Sequence, residues 1–325
     1  MPERDQTQDF VFDYWPTGQC DMQCPFCYGA QVPDFAKYIP SSDGQKKVNM
    51  YSPSAETILL TSSIEPRPEL DLDQSKQVLR LMRSVGGSII TVAGGEPLLR
   101  PETPRILSFA KQELGMIVYL STDGSFVLNR YPEFNEQIDV MGLPLDGSSI
   151  EINERMGRRP YLYNNIRKIL GYFREFPPSH IVKVGTVMSK INYDDIANIG
   201  RLLFRNPELR SPDVWRLYQF EKIGRGEQNA NDYYISNDEF EAKSNEIVQL
   251  FPEIDIRPRS NETHLNAYFF VTPDGMLQVV DSSHHVSIAD LTSMSTDNLT
   301  SLITNYQLTI SRANENRDWL ETPRK

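Results

Sequence analysis

Ser88-Ile89-Ile90-Thr91-Val92-Ala93-Gly94-Gly95-Glu96-Pro97 joins a β-branched run to a glycine pair, a carboxylate and a proline. The first six residues suit a buried strand. The last four cannot continue it, because two glycines free the backbone and the proline removes a ladder donor. Just upstream, Val78, Leu81, Met82 and Val85 fall at i, i+3, i+4 and i+7. That spacing predicts an amphipathic helix, N-capped by Asp73, packing on a sheet. A helix, a buried strand and a glycine-rich turn together make one unit of a parallel α/β sheet.

The unit recurs along the chain. A helix carrying Ile106, Phe109 and Ala110 stops at Gly115, and Met116 to Ser121 is the next strand, ending in Thr122-Asp123-Gly124. Ile138 to Leu145 is a strand running into Asp146-Gly147. A helix with Ile166, Ile169, Leu170 and Phe173 then precedes a strand at Ile181 to Met188. A helix near Asp195 to Phe204 and a strand from Val214 to Phe220 close the series, and Phe10 to Trp15 opens it. About six strands separated by helices predict an α/β fold whose functional residues lie at the C-terminal strand ends. Six strands fall short of a closed eight-strand barrel, so an open, partial (β/α)6 TIM-like barrel is expected.

Two segments break the alternation. Residues 29–70 are polar and proline-dotted, too long for an ordinary connection, and are a candidate lid or a passive excursion. Near the end, Tyr268 to Thr272 and Met276 to Val280 flank Pro273-Asp274-Gly275, a hairpin signal, and a helix is expected from Leu299. The expected organisation is a barrel over 1–225, with the insertion at 29–70, and an extension over 226–325 covering the barrel mouth.

With 325 residues, 39% hydrophobic and 24% charged, the chain can bury a large core. Neither a signal segment nor an apolar run long enough to span a membrane is legible. A net charge of -11 disfavours a large nucleic acid, whose binding draws on lysine and arginine. Arg155, Arg158 and Arg159 nevertheless form a small basic cluster suited to a small anion.

The chain has three cysteines, all in Cys20-Asp21-Met22-Gln23-Cys24-Pro25-Phe26-Cys27. An odd, tightly spaced set is no disulfide framework and points to metal or redox chemistry in a reducing compartment, the cytoplasm. Cys24-Pro-Phe-Cys27 alone would suit a thiol redox site, but that leaves Cys20 unexplained. A zinc site would need His180, His264, His284 or His285, none of them near in sequence. Three thiolates suit a 4Fe-4S cube with one open iron. His284-His285 reads as a surface or hydrogen-bonded pair after a strand, and Gly224-Arg-Gly226 as a tight loop near the mouth.

The CxxxCxxC motif with Phe26 before its third cysteine, followed by Gly94-Gly95-Glu96-Pro97, resembles the radical S-adenosylmethionine (SAM) superfamily. The resemblance implies that Cys20, Cys24 and Cys27 hold a 4Fe-4S cluster and that SAM takes the open iron. It implies that Gly94, Gly95 and Glu96 bind the methionyl end of SAM, with Glu96 meeting the ammonium. Phe26, Ser121, Thr122, Asp146, Ser148 and Arg158 complete the implied SAM site. The implied activity is reductive cleavage of SAM to a 5′-deoxyadenosyl radical, fed by a flavodoxin- or ferredoxin-type reductant, and hydrogen abstraction from a substrate.

No cysteine follows Cys27 and 19 residues precede Cys20, so a compact enzyme acting on a small molecule is expected. Trp215-Arg-Leu-Tyr-Gln-Phe220 and the Ala267 to Gly275 hairpin look similar to the C-terminal part of viperin-like nucleotide enzymes. That likeness implies a nucleotide or nucleoside-sugar substrate, with the basic cluster serving a triphosphate. The alternatives are modification of a ribosomally made peptide and a non-catalytic or electron-transfer iron-sulfur protein.

Overall fold

The computed structural model describes residues 10–29, 38–40, 46–49, 68–261, 269–281 and 284–306. Strand β1 (Phe10–Tyr14) leads into the cysteine loop. Strands β2 (Gln19–Cys20), β3 (Tyr38–Pro40) and β4 (Lys46–Asn49) make a small antiparallel sheet with β4 in the middle. The rest of the 29–70 insertion, up to residue 67, lies outside the described residues, and with it the expectation of a lid.

The large sheet contains β5 (Gly87–Val92), β6 (Ile117–Ser121), β7 (Val140–Pro144), β8 (Ile181–Met188) and β9 (Val214–Gln219). It also contains β10 (Ile256–Arg259), β11 (Phe269–Val271), β12 (Met276–Asp281) and β13 (His284–Asp290). Its order is β10-β9-β8-β7-β6-β5-β1-β11-β12-β13. Every pair from β10 to β11 is parallel, and the β11–β12 and β12–β13 pairs are antiparallel. The six expected strands are neighbours in sequence order, as in a partial barrel. Among the described residues the sheet stays open, since its edges β10 and β13 do not pair. Residues after 225 supply both edges. Strand β10 escaped the sequence because Arg257-Pro258-Arg259 carries no apolar alternation, and β13 because its hairpin partner looked like the end of the sheet.

Each parallel crossover carries a helix whose apolar stripe covers the sheet. In α1 (Leu72–Ser84) the buried stripe is Ser75, Val78, Leu79 and Met82. Its N-cap is Asp71 rather than Asp73. Gln74 stands three residues on and reciprocates, so that Asp71 Oδ1 accepts from the Gln74 amide at 2.8 Å and Gln74 Oε1 from the Asp71 amide at 3.0 Å. Helix α2 (Thr103–Ser108) continues into a π turn at Phe109–Glu113, and α3 (Val127–Phe134) follows β6. After β7 come α4 (Ile150–Arg155) and α5 (Pro160–Glu175). Helix α5 buries Leu162, Tyr163, Ile166, Ile169, Leu170 and Phe173, each apolar side chain contributing about 1.5–3 kcal/mol. Helix α6 (Ile196–Arg205) joins β8 to β9, α7 (Asn237–Leu250) joins β9 to β10, and α8 (Thr296–Tyr306) ends the described chain. Among the described residues no helix is long and apolar enough to cross a membrane.

Candidate active site

Strand alternation sends one set of side chains to the helices and the other to a cavity of about 340 Å³. In β9, Trp215 and Leu217 are fully buried under helices while Arg216 and Tyr218 line the cavity. In β8, Val182 and Val184 are buried while Lys183, Gly185 and Val187 line it. Strands β1 and β5–β10 all contribute lining residues, so the sheet curves around this space.

The three cysteines lie together on the wall of this cavity, all as free thiols. Their loop is anchored to the end of β5. The Gly95 amide donates to the Thr17 carbonyl at 3.0 Å, and the Glu96 amide to the Gln19 carbonyl at 2.7 Å. This approach explains the glycine pair. A Cβ on Gly95 would stand 1.9 Å from the Gln19 carbonyl oxygen, and Gly94 holds φ at +104° against Trp15. From the other side, Arg225 donates its amide to the Cys27 carbonyl at 3.1 Å, so the Gly224–Gly226 loop does sit at the cysteines.

Two N–H groups point at cysteine sulfur. Met22 N lies 3.3 Å from Cys20 Sγ, and Arg158 Nη1 lies 3.3 Å from Cys24 Sγ. Such donors stabilise thiolate charge and tune cluster potential. Without metal, burial pushes the Cys20 and Cys24 thiols up. Three thiols on one cavity wall, and no fourth cysteine in the chain, fit a cube with one iron left for a small-molecule ligand.

The other expected site residues divide. Phe26, Gly94, Gly95, Ser121, Thr122 and Arg158 line the cavity; Glu96, Asp146 and Ser148 do not. The Glu96 carboxylate is fully buried and accepts from the Leu98 amide at 2.9 Å, the Thr122 hydroxyl at 2.8 Å and the Asp123 amide at 2.7 Å. It ties the end of β5 to the end of β6. Asp146 is fully buried too, holding Arg158 Nε at 2.7 Å and the Val187 amide at 2.7 Å. Ser148 is spent on Asp195, donating its hydroxyl at 2.6 Å and its amide at 2.7 Å, and is not brought to the site.

The basic cluster is corrected as well. Arg158 is committed to Asp146 and Cys24 and stacks over Phe26 at 4.8 Å, while Arg159 donates to the Asp21 carbonyl at 3.0 Å. Neither Arg155 nor Arg159 lines the cavity. The cations that do, besides Arg158, are Lys183, Arg216, Arg257 and Arg259, on β8, β9 and β10, of which Arg257 is ion-paired with Asp255, its Nε donating at 2.8 Å and its Nη2 at 2.7 Å. Period-2 placement of cations on predicted strands was the available signal, lost for Arg257 and Arg259 because β10 was not foreseen. Lys183 Nζ donates to the Tyr218 hydroxyl at 2.8 Å and lies over the Tyr119 ring at 4.4 Å. Burial raises the Tyr218 phenol, but Lys183, Arg216 and Arg259 outweigh it and bring the group down to about 8.

Asp123, in the turn after β6, is a further candidate site residue. It lines the cavity beside the thiols, and a carboxylate oxygen of Asp123, one of Asp21 and the Cys20 sulfur all lie within 4.8 Å of one another. Burial, then Glu96 and Asp21, push its carboxyl well above the usual range, so a cation arriving here would be stabilised. His285 lies inside β13 rather than after a strand, with its ring centre 5.7 Å from Trp15 and 4.9 Å from Phe270.

An open parallel sheet with three thiols gathered on its cavity wall defines a cofactor-dependent α/β enzyme. A family model described as the Radical SAM superfamily matches residues 15–203, more than half of the sequence, and the chain belongs to that superfamily, whose members use a 4Fe-4S cluster and SAM. The protein is therefore a radical SAM enzyme.

Among similar proteins, an S-adenosylmethionine-dependent nucleotide dehydratase of Lacinutrix mariniflava is 25% identical over 268 residues, covering 79% of this chain and 47% of that protein. The protein of the same description from Flammeovirga pacifica is 24% identical over 264 residues, covering 79% and 77%. The chain thus spans about half the length of the first relative and about three quarters of the second. Streptococcus suis SuiB bound to S-adenosylmethionine superposes with a TM-score of 0.63 at 12% identity, covering 94% of this chain and 68% of SuiB. That likeness shows a shared fold.

Proposed function

We propose that this enzyme abstracts hydrogen from an anionic small molecule, and that the molecule is a nucleotide. The observation that carries this reading is one cavity with three thiols on one wall and Lys183, Arg216, Arg257 and Arg259 on another. The relatives described as nucleotide dehydratases support it. Cys20, Cys24 and Cys27 would hold a 4Fe-4S cluster, which with SAM would supply the radical chemistry that removes a hydrogen atom from carbon.

The remaining work belongs to the chain. Gly94, Gly95, Ser121 and Thr122 line the cavity and would hold the methionyl end of SAM, and the Asp123 carboxylate, fixed by Glu96 through the Asp123 amide, would accept from its ammonium. Asp146 fixes the Arg158 guanidinium, which in turn donates to Cys24 sulfur. The four cations bind the substrate's phosphates, with Tyr119 and Tyr218 beside them. The extension after residue 225 helps close the mouth, because Arg257 and Arg259 belong to it. A flavodoxin- or ferredoxin-type protein delivers the electron.

Cations gathered on one wall suit an anionic small molecule better than a peptide, so peptide modification is the lesser reading. The test is anaerobic: reconstituted enzyme, dithionite and SAM, with 5′-deoxyadenosine followed by liquid chromatography across nucleotides and candidate peptides. Stimulation by a nucleotide is the expected result. Stimulation by peptides alone would replace this reading with the peptide one.

A further inference from the structure

Asp13 on β1 is a carboxylate set among the cations of the cavity. The residue is 7% exposed and lines the cavity, and its Oδ1 is buried without a hydrogen-bond partner. A buried acceptor left unmade costs about 1–3 kcal/mol, and native proteins carry few of them. A carboxylate on the wall of a ligand cavity with one oxygen unmet marks where a ligand's donor completes the set.

The surroundings say which donor. Asp13, Lys183 and Arg259 line the same cavity, and burial outweighs the two cations to leave the Asp13 carboxyl at about 7. A phosphate would be repelled by Asp13 and attracted by its neighbours, so phosphates settle on the cations and something else meets Asp13. A substrate cation is disfavoured by the same Arg259 and Lys183. What remains is a neutral O–H or N–H close to the phosphates. Asp13 also lies near the thiol wall: it pairs with Phe270 across β1 and β11, and the Phe270 ring centre stands 6.3 Å from that of Tyr28, the residue after Cys27. The group that meets Asp13 therefore lies between the phosphates and the cofactor, where a nucleotide has its sugar. Thr91, paired with Asp13 across β1 and β5, lines the cavity beside it.

We propose that Asp13 is a specificity-determining residue that accepts a hydrogen bond from a ribose hydroxyl of a nucleotide whose phosphates lie on Lys183, Arg216, Arg257 and Arg259. This rests on the nucleotide reading above. It also orients the sugar, so that a sugar carbon faces the thiol wall.

The test is calorimetric binding, under anaerobic conditions, to the reconstituted enzyme with SAM. The probes are the four ribonucleoside triphosphates, their 2′-deoxy and 3′-deoxy counterparts, and inorganic tripolyphosphate. The wild type is expected to prefer the ribonucleotide over at least one deoxy form by about tenfold or more. In Asp13→Ala and Asp13→Leu that preference falls to about twofold or less, while tripolyphosphate binds as before or tighter. Asp13→Asn, which keeps a carbonyl acceptor, retains part of it.

Three results overturn the proposal and leave the nucleotide reading standing: no ribose preference in the wild type, a preference unchanged in both variants, or loss of tripolyphosphate from all three variants. The last would make Asp13 a support of the cation cluster. Tripolyphosphate binding to the wild type with no nucleotide bound would overturn the nucleotide reading and this proposal together.

Discussion

Arg158 lies 134 residues from Cys24 in sequence, yet its Nη1 stands 3.3 Å from the Cys24 sulfur while its Nε stays on Asp146 at 2.7 Å. The guanidinium fork makes both contacts at once, which a lysine cannot. Arg158→Lys should keep the fold and the iron content but lower the cluster's reduction potential, because an N–H directed at sulfur is lost. Potentiometric titration followed by electron paramagnetic resonance reads this; an unchanged potential would separate Arg158 from the cluster.

The cysteine ligands make the simplest prediction. Replacing Cys20, Cys24 or Cys27 by alanine should remove the brown absorbance and SAM cleavage alike, since two thiolates hold a cube poorly. Cleavage retained by any of the three variants would refute the ligand set.

Gly95→Ala tests the anchor between β5 and the cysteine loop. The added methyl would lie 1.9 Å from the Gln19 carbonyl oxygen, against backbone that has no side-chain rotamer with which to yield. We expect a loss of about 2 kcal/mol or more in stability and a fall in iron content, read by thermal melting and iron assay. A variant with full iron content and unchanged melting would show that the loop tolerates displacement.

His180 predicts a pH dependence away from the site. Its Nδ1 faces the Ile181 carbonyl at 3.3 Å, which can only accept, so Nδ1 carries the proton and Nε2 accepts from the Tyr131 hydroxyl at 2.9 Å. Burial lowers its pKa from 6.5 to about 4. The unfolded chain therefore binds this proton more readily. The stabilisation is complete above about pH 6.5 and is lost as pH falls toward 4, by about 3 kcal/mol at most. His180→Gln should flatten the decline in stability between pH 6.5 and 4 in urea titrations. An equal slope in both proteins would assign the decline to carboxylates.

Much of this was legible in sequence because it rests on local patterns. The six barrel strands declared themselves as short apolar runs ending in glycine or polar turns, and the cysteines by spacing alone. The site was harder because its groups come together only through the sheet. Asp146 and Glu96 are polar residues at strand ends, where ligand contacts are expected, but both are buried as struts that hold Arg158, Thr122 and Asp123. Arg155, Arg158 and Arg159 are adjacent in sequence and so suggested one patch. The cations that converge on the cavity are instead two residues apart within β10 or on separate strands, linked only by register, with Arg257 opposite Arg216 and Arg259 opposite Tyr218.

The central claim is that a hydrogen atom leaves a nucleotide in the cavity shared with the cysteines. The direct measurement is to supply ribonucleoside triphosphates deuterated on the sugar, under anaerobic turnover with SAM, and to weigh the 5′-deoxyadenosine by mass spectrometry. One triphosphate should yield product carrying a deuterium. Formation of 5′-deoxyadenosine without deuterium from every sugar-deuterated triphosphate at saturation would contradict the account.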